Sequence, residues 1–254
     1  MPKYYLKIIE KIYPMKKILI LSCVLAYGWI VQAQQTSEWN YPILPGTEEW
    51  KKFKTQQEKV DACQIPEDVL KAISTNDLVQ LCLDYPLLFG FNVFNQISDG
   101  VNAVYSSFNG FRELVKRPNA VDILTELYKT ELEKQTEILN NNVVSLLVKG
   151  KYKSRISAIE IFIGCPQMQN HLTRIEQKQT MVNLMEGYKK KYESLTENNR
   201  KEFESNIYAR ANVINAIDSS LLSTPEMKQL IHSVGTLPEP IECLDTISNQ
   251  LIQQ

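Results

Sequence analysis

The sequence predicts an all-α protein built from antiparallel helical hairpins, arranged as an irregular bundle or a short solenoid-like array. Apolar residues recur in steps of three and four, most plainly at Phe94, Ile97, Val101, Val104, Phe108, Phe111 and Val115. Helix-start signals punctuate the chain at Thr47-Glu48-Glu49, Pro66-Glu67-Asp68 and Thr224-Pro225-Glu226. Each sets a capping oxygen or a proline ahead of acids that favour the positive end of a helix. No series of strand, turn and strand is visible, and glycine is sparse.

The elements follow in order. Residues 34–46 form an irregular arm, broken by Pro42, Pro45 and Gly46. One helix is expected from Thr47 to about Ala62. A second follows Pro66 with Val69, Leu70 and Ile73 on its apolar face. A third is capped by Ser74 or Thr75 and carries Leu78, Leu81 and Cys82. The Phe94–Val115 seam reads as one amphipathic, coiled-coil-like helix. Gly100 and Gly110 interrupt it, each costing about 1 kcal/mol against alanine. A neighbouring helix passing close would compensate; a break at Ser98-Asp99 is the rival explanation. Pro118 opens a helix with Val121, Leu124, Leu127, Tyr128 and Leu132, which Asn140-Asn141-Asn142 can end.

Residues 143–163 fit either a β-hairpin around Lys149-Gly150-Lys151 or a helix. Helix is preferred, because Ser157-Ala158-Ile159-Glu160 does not alternate with period two. Long helices are then expected over Pro166–Tyr192 and Asn198–Ile217, both with dense polar faces. A short one starts at Pro225, and a last one after Pro238 and Pro240 carries Ile241, Leu244, Ile247 and Leu251. Residues 47–254 read as a single α-helical domain.

Residues 1–33 read as a secretory signal peptide. Lys16 and Lys17 precede an apolar stretch from Ile18 to Val31, and Val31-Gln32-Ala33 offers small residues for cleavage before Gln34. The stretch is shorter than the roughly 20 residues of a membrane-spanning helix. Met15 is a candidate true start. Cys23, within Ile20-Leu21-Ser22-Cys23, gives the less favoured alternative of a lipid-modified cysteine. The exported chain would be periplasmic or extracellular, touching membrane only through its transient leader.

Composition narrows the function. The formal charge is −1, and removal of five leader lysines with Glu10 leaves the remainder more acidic. A chain of that sign is not expected to bind nucleic acid or to be drawn to anionic lipid. No GxGxxG, Walker loop, GxSxG or HExxH motif is present, so no cofactor or metal is expected. His171 and His232 lie on separate expected helices, away from any ligand spacing. Acid neighbours Glu48-Glu49, Glu67-Asp68 and Asp122-Glu126 fit helix first turns and solvated faces better than catalysis.

Several residues remain as binding candidates. Trp39, Tyr41 and Trp50 could grip a partner or stack on a sugar if exposed, or fold back as core. Tyr85, Phe89, Phe91, Phe94, Tyr105, Phe108 and Phe111 fit a hairpin core or an apolar groove for a peptide helix. Asn95, Asn102 and Asn109 recur every seven residues beside the seam and could set partner register, or bind local backbone. Cys63 and Cys82 form the closest cysteine pair and a possible disulfide; the alternative is buried free thiols.

At Pro45-Gly46-Thr47-Glu48-Glu49-Trp50, Cys63-Gln64-Ile65-Pro66-Glu67, Cys82-Leu83-Asp84-Tyr85-Pro86 and Phe108-Asn109-Gly110, the chain resembles a group of exported Bacteroidetes proteins of unassigned function. The resemblance covers about residues 33–128. It implies an envelope or extracellular setting and brings no site residues. The sequence therefore favours an exported, non-enzymatic helical protein that binds a protein or peptide. The alternatives are an enzyme acting on an envelope polymer through a carboxylate pair, and a glycan-binding protein using Trp39, Tyr41 and Trp50.

Overall fold

The computed structural model describes residues 39–88, 94–194, 203–231 and 239–253. The leader with Met15 and Cys23, the first part of the arm, Phe89, Phe91 and His232 lie outside the described residues. Among the described residues all regular structure is helical and no strand occurs, as the sequence predicts. Trp39–Gln254 forms one unit.

The region expected as one helix from Thr47 is two. The Thr47 hydroxyl caps α1 (Glu48–Lys51), which ends after a single turn. A capping box of Thr55 and Glu58 then starts α2 (Gln56–Ala62). Next come α3 (Glu67–Ala72) behind Pro66 and α4 (Thr75–Leu83) capped by Ser74.

The long seam also divides, at Phe108 rather than at Ser98-Asp99. Phe108 is extended between α5 (Ile97–Ser107) and α6 (Asn109–Val115). The break lets the Phe108 ring enter the core, stacked 4.0 Å from Tyr85. The ring, with Ile65, fills the space beside Gly110 where a side chain would sit. Arg112 donates to the carbonyls of Tyr105 and Ser106 that the end of α5 leaves without helical partners.

Residues 143–163 are helical for the most part, within α8 (Leu146–Gly164). This helix runs antiparallel to α7 (Ala120–Asn140). Lys149 donates to the carbonyl of Leu139, Tyr152 to that of Glu131, and Tyr128 to the Glu160 carboxylate. After α9 (Pro166–Gln169), a second Thr-x-x-Glu box, Thr173 with Glu176, starts α10 (Arg174–Ser194). The expected Pro166–Tyr192 helix is thus two. The remaining elements are α11 (Glu204–Asp218), a 3-10 turn over Ser219–Leu221, α12 (Pro225–Gln229) and α13 (Glu239–Gln253).

Four long helices make the centre. α7 packs on α8 and α10, and α11 packs on the same two, closing a ring. α4 joins the preceding helices to this ring, and α13 lies on α10 and α11. Every residue from Ser205 to Ile214 of α11 is buried. The polar side chains expected to face water there, Ser205, Asn206, Arg210 and Asn212, point inward instead. A helix enclosed on all sides cannot carry a solvated face.

α8 and α11 cross closest at Gly164. A Cβ placed there would lie 2.2 Å from the Ala209 Cα. Gly150, on the same helix, has open space around it. Gly164→Ala should therefore lower stability by about 1–3 kcal/mol or more through overpacking. Gly150→Ala should raise it by about 0.5–1 kcal/mol. Urea titrations of both variants check the opposite signs.

Candidate functional site

A buried carboxylate sits inside the helical ring. Glu160 comes from α8, in the middle of the apolar run Ile156–Ile163, and is fully enclosed. Tyr128 of α7 donates to its Oε1 at 2.5 Å. Lys191 of α10 donates to both oxygens at 3.0 and 3.2 Å. From α11, the Ser205 hydroxyl donates to Oε2, and Asn206 Nδ2 lies 3.1 Å from Oε1. Asn206 also donates to the Leu184 carbonyl of α10. Every helix of the ring thus supplies a group. Burial, and then the Glu160 charge, hold the Tyr128 hydroxyl well above its ordinary pKa. Gly187 of α10 leaves room for that hydroxyl, since a Cβ there would lie 2.0 Å away.

One turn along α11, Arg210 is buried with its guanidinium 5.6 Å over the Tyr188 ring. It donates to Asp245 at 2.6 Å and Ser248 at 2.9 Å, fastening α13. Glu160 and Lys191 are paired within the ring, and Arg210 reaches out to the part-exposed Asp245; both contacts hold helices together. A carboxylate with its oxygens surrounded by tyrosine, lysine, serine and asparagine leaves no open face for a substrate.

The described part of the arm, from Trp39, packs on the helices that follow. Tyr41 is buried, donates to the Leu81 carbonyl at 2.8 Å, and lies 6.3 Å from Tyr85 and 6.4 Å from Phe108. Trp39 meets Tyr41 edge-on, and Trp50 is half-buried against Phe53 with Lys59 over its ring. Trp39, Tyr41 and Trp50 therefore form no flat, exposed platform for a sugar. Of the seam aromatics, Tyr85, Phe108 and Phe111 are core, with Phe111 stacked on Phe162 of α8. Phe94 is exposed.

The three asparagines do not share one helix. Asn95 is exposed ahead of α5, and Asn102 on α5 accepts from Gln167 at 2.9 Å. Asn109, past the Phe108 break, grips the Ile65 backbone, accepting from its N–H at 3.0 Å and donating to its carbonyl at 2.7 Å. Gln64 reciprocates, accepting from the Asn109 N–H at 3.1 Å and donating to the Ser107 carbonyl at 3.1 Å. This exchange fixes the start of α3 against the start of α6.

A cleft of about 220 Å³ opens beside the exchange. Glu67, Leu70 and Lys71 of α3 line one side, and Asn109, Arg112 and Glu113 of α6 with Lys116 line the other. Glu113 is paired with Arg117 at 2.9 Å and Lys116 at 3.7 Å. Lys71 and Lys116 are exposed. Among the expected acid neighbours, Glu48 pairs with Lys51 and Glu126 with Lys129; neither Glu48-Glu49 nor Asp122-Glu126 lines the cleft.

No bond joins Cys63 and Cys82. Both are free and buried, as is Cys165, while Cys243 is exposed. Burial pushes the Cys63 thiol up to about 11, and Cys82 also rises by burial. The two thiols pack as small apolar groups around Tyr41, whose pKa rises first by its own burial and then by their proximity. Tyr85 is pushed up to about 12, chiefly by burial. His171 is exposed. Among the described residues no three His, Cys, Asp or Glu side chains converge as a metal site.

Comparison with protein-family models, curated proteins and solved structures gives no match. Glu160, Lys191, Tyr128, Ser205, Asn206 and Arg210 are absent from the sequence-based candidates. A lone acid flanked by isoleucines on both sides was the available signal for Glu160.

Asn109→Ala removes both bonds to the Ile65 backbone and should cost about 1–3 kcal/mol. Asn102→Ala, which loses one exposed bond, should change stability by less than about 0.5 kcal/mol. Thermal unfolding of the two variants measures the difference.

Proposed function

We propose that this chain is an exported, non-enzymatic helical protein of the cell envelope that binds a protein or peptide partner. The cleft between α3 and α6 receives a partner side chain. The observation that carries this reading is the cleft's construction. Its floor is committed to holding backbone, through Asn109 on Ile65 and Arg112 on the end of α5. Its charged lining is Lys71, Arg112 and Lys116 against Glu67 and Glu113, with Lys71 and Lys116 exposed. At about 220 Å³ it lies below the roughly 300–1,000 Å³ of small-molecule sites. It suits one or two side chains of a peptide, preferably acidic ones that complement the two lysines.

Export rests on the leader at residues 1–33, and on the resemblance of residues 33–128 to exported Bacteroidetes proteins. The enzymatic alternative has one supporting feature, that Glu67 and Glu113 share the cleft. The Glu113 carboxylate is already bound by Arg117 and Lys116, which fits a positioning role better than acid–base chemistry.

Selection of a displayed random-peptide library on the protein should yield acidic sequences. Lys71→Glu with Lys116→Glu should weaken the selected peptides about tenfold or more by reversing both rim charges. Recovery of no peptide, or equal affinity for both forms, would count against the proposal.

A further inference from the structure

The turn between α7 and α8 and the first turn of α8 carry the largest group of exposed apolar side chains among the described residues; Ile175, 81% exposed, stands alone elsewhere. Val143 is 93% exposed, Leu146 85%, Leu147 70% and Val148 51%. Leu146, Leu147 and Val148 are consecutive on a helix, so they point about 100° apart and together sweep roughly 200° of its circumference. One partner helix or groove covers a much narrower stripe. An environment that surrounds the tip would cover all three.

Part of the backbone of the tip is already paired. The Val143 N–H donates to the Asn141 side chain at 2.9 Å, and the Val144 N–H to the Asn141 carbonyl at 3.2 Å. Ser145 caps α8 through the Val148 N–H, and Lys149 donates to the Leu139 carbonyl at 2.6 Å. The remaining donors of the helix start stay solvated at the interfacial level, where headgroups and water remain.

Charge follows directly behind the apolar residues. Between residues 131 and 155 lie Lys134, Lys149, Lys151, Lys153 and Arg155 against Glu131, Glu133 and Glu137, and nearest the tip the lysines of α8 face Glu137 alone. Arg155 is engaged by Asp84 and Gln80. Lys134 and Lys151 are exposed. Leu147 and Lys151 are four residues apart, about 6 Å along the axis. A helix tip seated in a bilayer interface buries its apolar residues about 5–10 Å deep, with lysines at headgroup level.

We infer that the α7–α8 tip, with Val143, Leu146, Leu147 and Val148 leading and Lys151 behind, docks onto an anionic membrane surface. Net charge alone pointed away from lipid, because the acidic remainder of the chain conceals this local basic cluster. The tip shares no residue with the α3–α6 cleft, so each can fail without the other.

Hydrogen exchange of the full chain with vesicles tests this at the tip itself, whatever the leader does. Vesicles of phosphatidylcholine and phosphatidylglycerol in equal parts should slow exchange at residues 143–151. Pure phosphatidylcholine should slow it less, and salt should reverse the effect. Leu146→Ser with Leu147→Ser should weaken the protection about tenfold or more. Lys151→Glu should weaken it on the anionic vesicles. These side chains contact solvent, so circular dichroism should show unchanged helix content. Unchanged exchange on anionic vesicles, or equal protection in the variants, would overturn the inference. So would a tip that only self-associates, shown by light scattering that falls to monomer mass in the double serine variant without any vesicle effect.

Discussion

A carboxylate removed from water must be given back what water supplied, and Glu160 imposes that demand on the centre of this protein. An unpaired charge at full burial costs several kcal/mol even after relaxation. Here the compensation comes from side chains on all four helices of the ring. Sliding or rotating any of these helices would take a partner away from the carboxylate. Apolar packing alone tolerates such slippage far better, because dispersion and burial are not directional. The polar centre therefore sets the register that the surrounding isoleucines, leucines and phenylalanines then fill.

The same logic extends outward with weaker interactions. Arg210 carries the pattern along α11 to α13 through Asp245 and Ser248. On the other side, Phe111 stacks on Phe162 and brings α6 against α8. Asn109 and Gln64 then align α3 with α6, and Tyr41 ties the arm to α4 through the Leu81 carbonyl. The cleft is a by-product of this chain of contacts. Its position depends on the Asn109 exchange, which depends in turn on the break at Phe108.

Much of the fold was legible because helix periodicity and capping are local. Ser74, Ser145 and Thr224 cap helices, and Pro66 precedes one, as sequence chemistry requires. Two of the three overlong expectations failed for one reason. Thr55–Glu58 and Thr173–Glu176 are capping boxes inside stretches read as continuous helix, and the apolar gaps Phe53–Val60 and Ile175–Met181 beside them were the available signal. The break at Phe108 was hidden because it is tertiary in origin: the ring is drawn to Tyr85, far away in sequence. α11 misled for a similar reason. Its Asn206 and Arg210 look solvated until their partners on α8, α10 and α13 are known. Tyr41 was readable as core or platform, and only the packing decided for core. The heptad spacing of Asn95, Asn102 and Asn109 lost its meaning once the helix divided between the last two.

Function follows from what the scaffold leaves unspent. Among the described residues Glu160 and Lys191 are enclosed, while the α3–α6 cleft and the α7–α8 tip face outward. The claim beneath all of this is that the central charge pair is structural and mutually dependent. A double-mutant cycle on Glu160→Gln and Lys191→Met measures it directly by equilibrium unfolding. Each single change removes one side of the buried pair and should cost roughly 3–5 kcal/mol. The double variant strands neither and should be more stable than either single. If the double loses the simple sum of the two, or if the singles are neutral, the pair does not organise the fold as described.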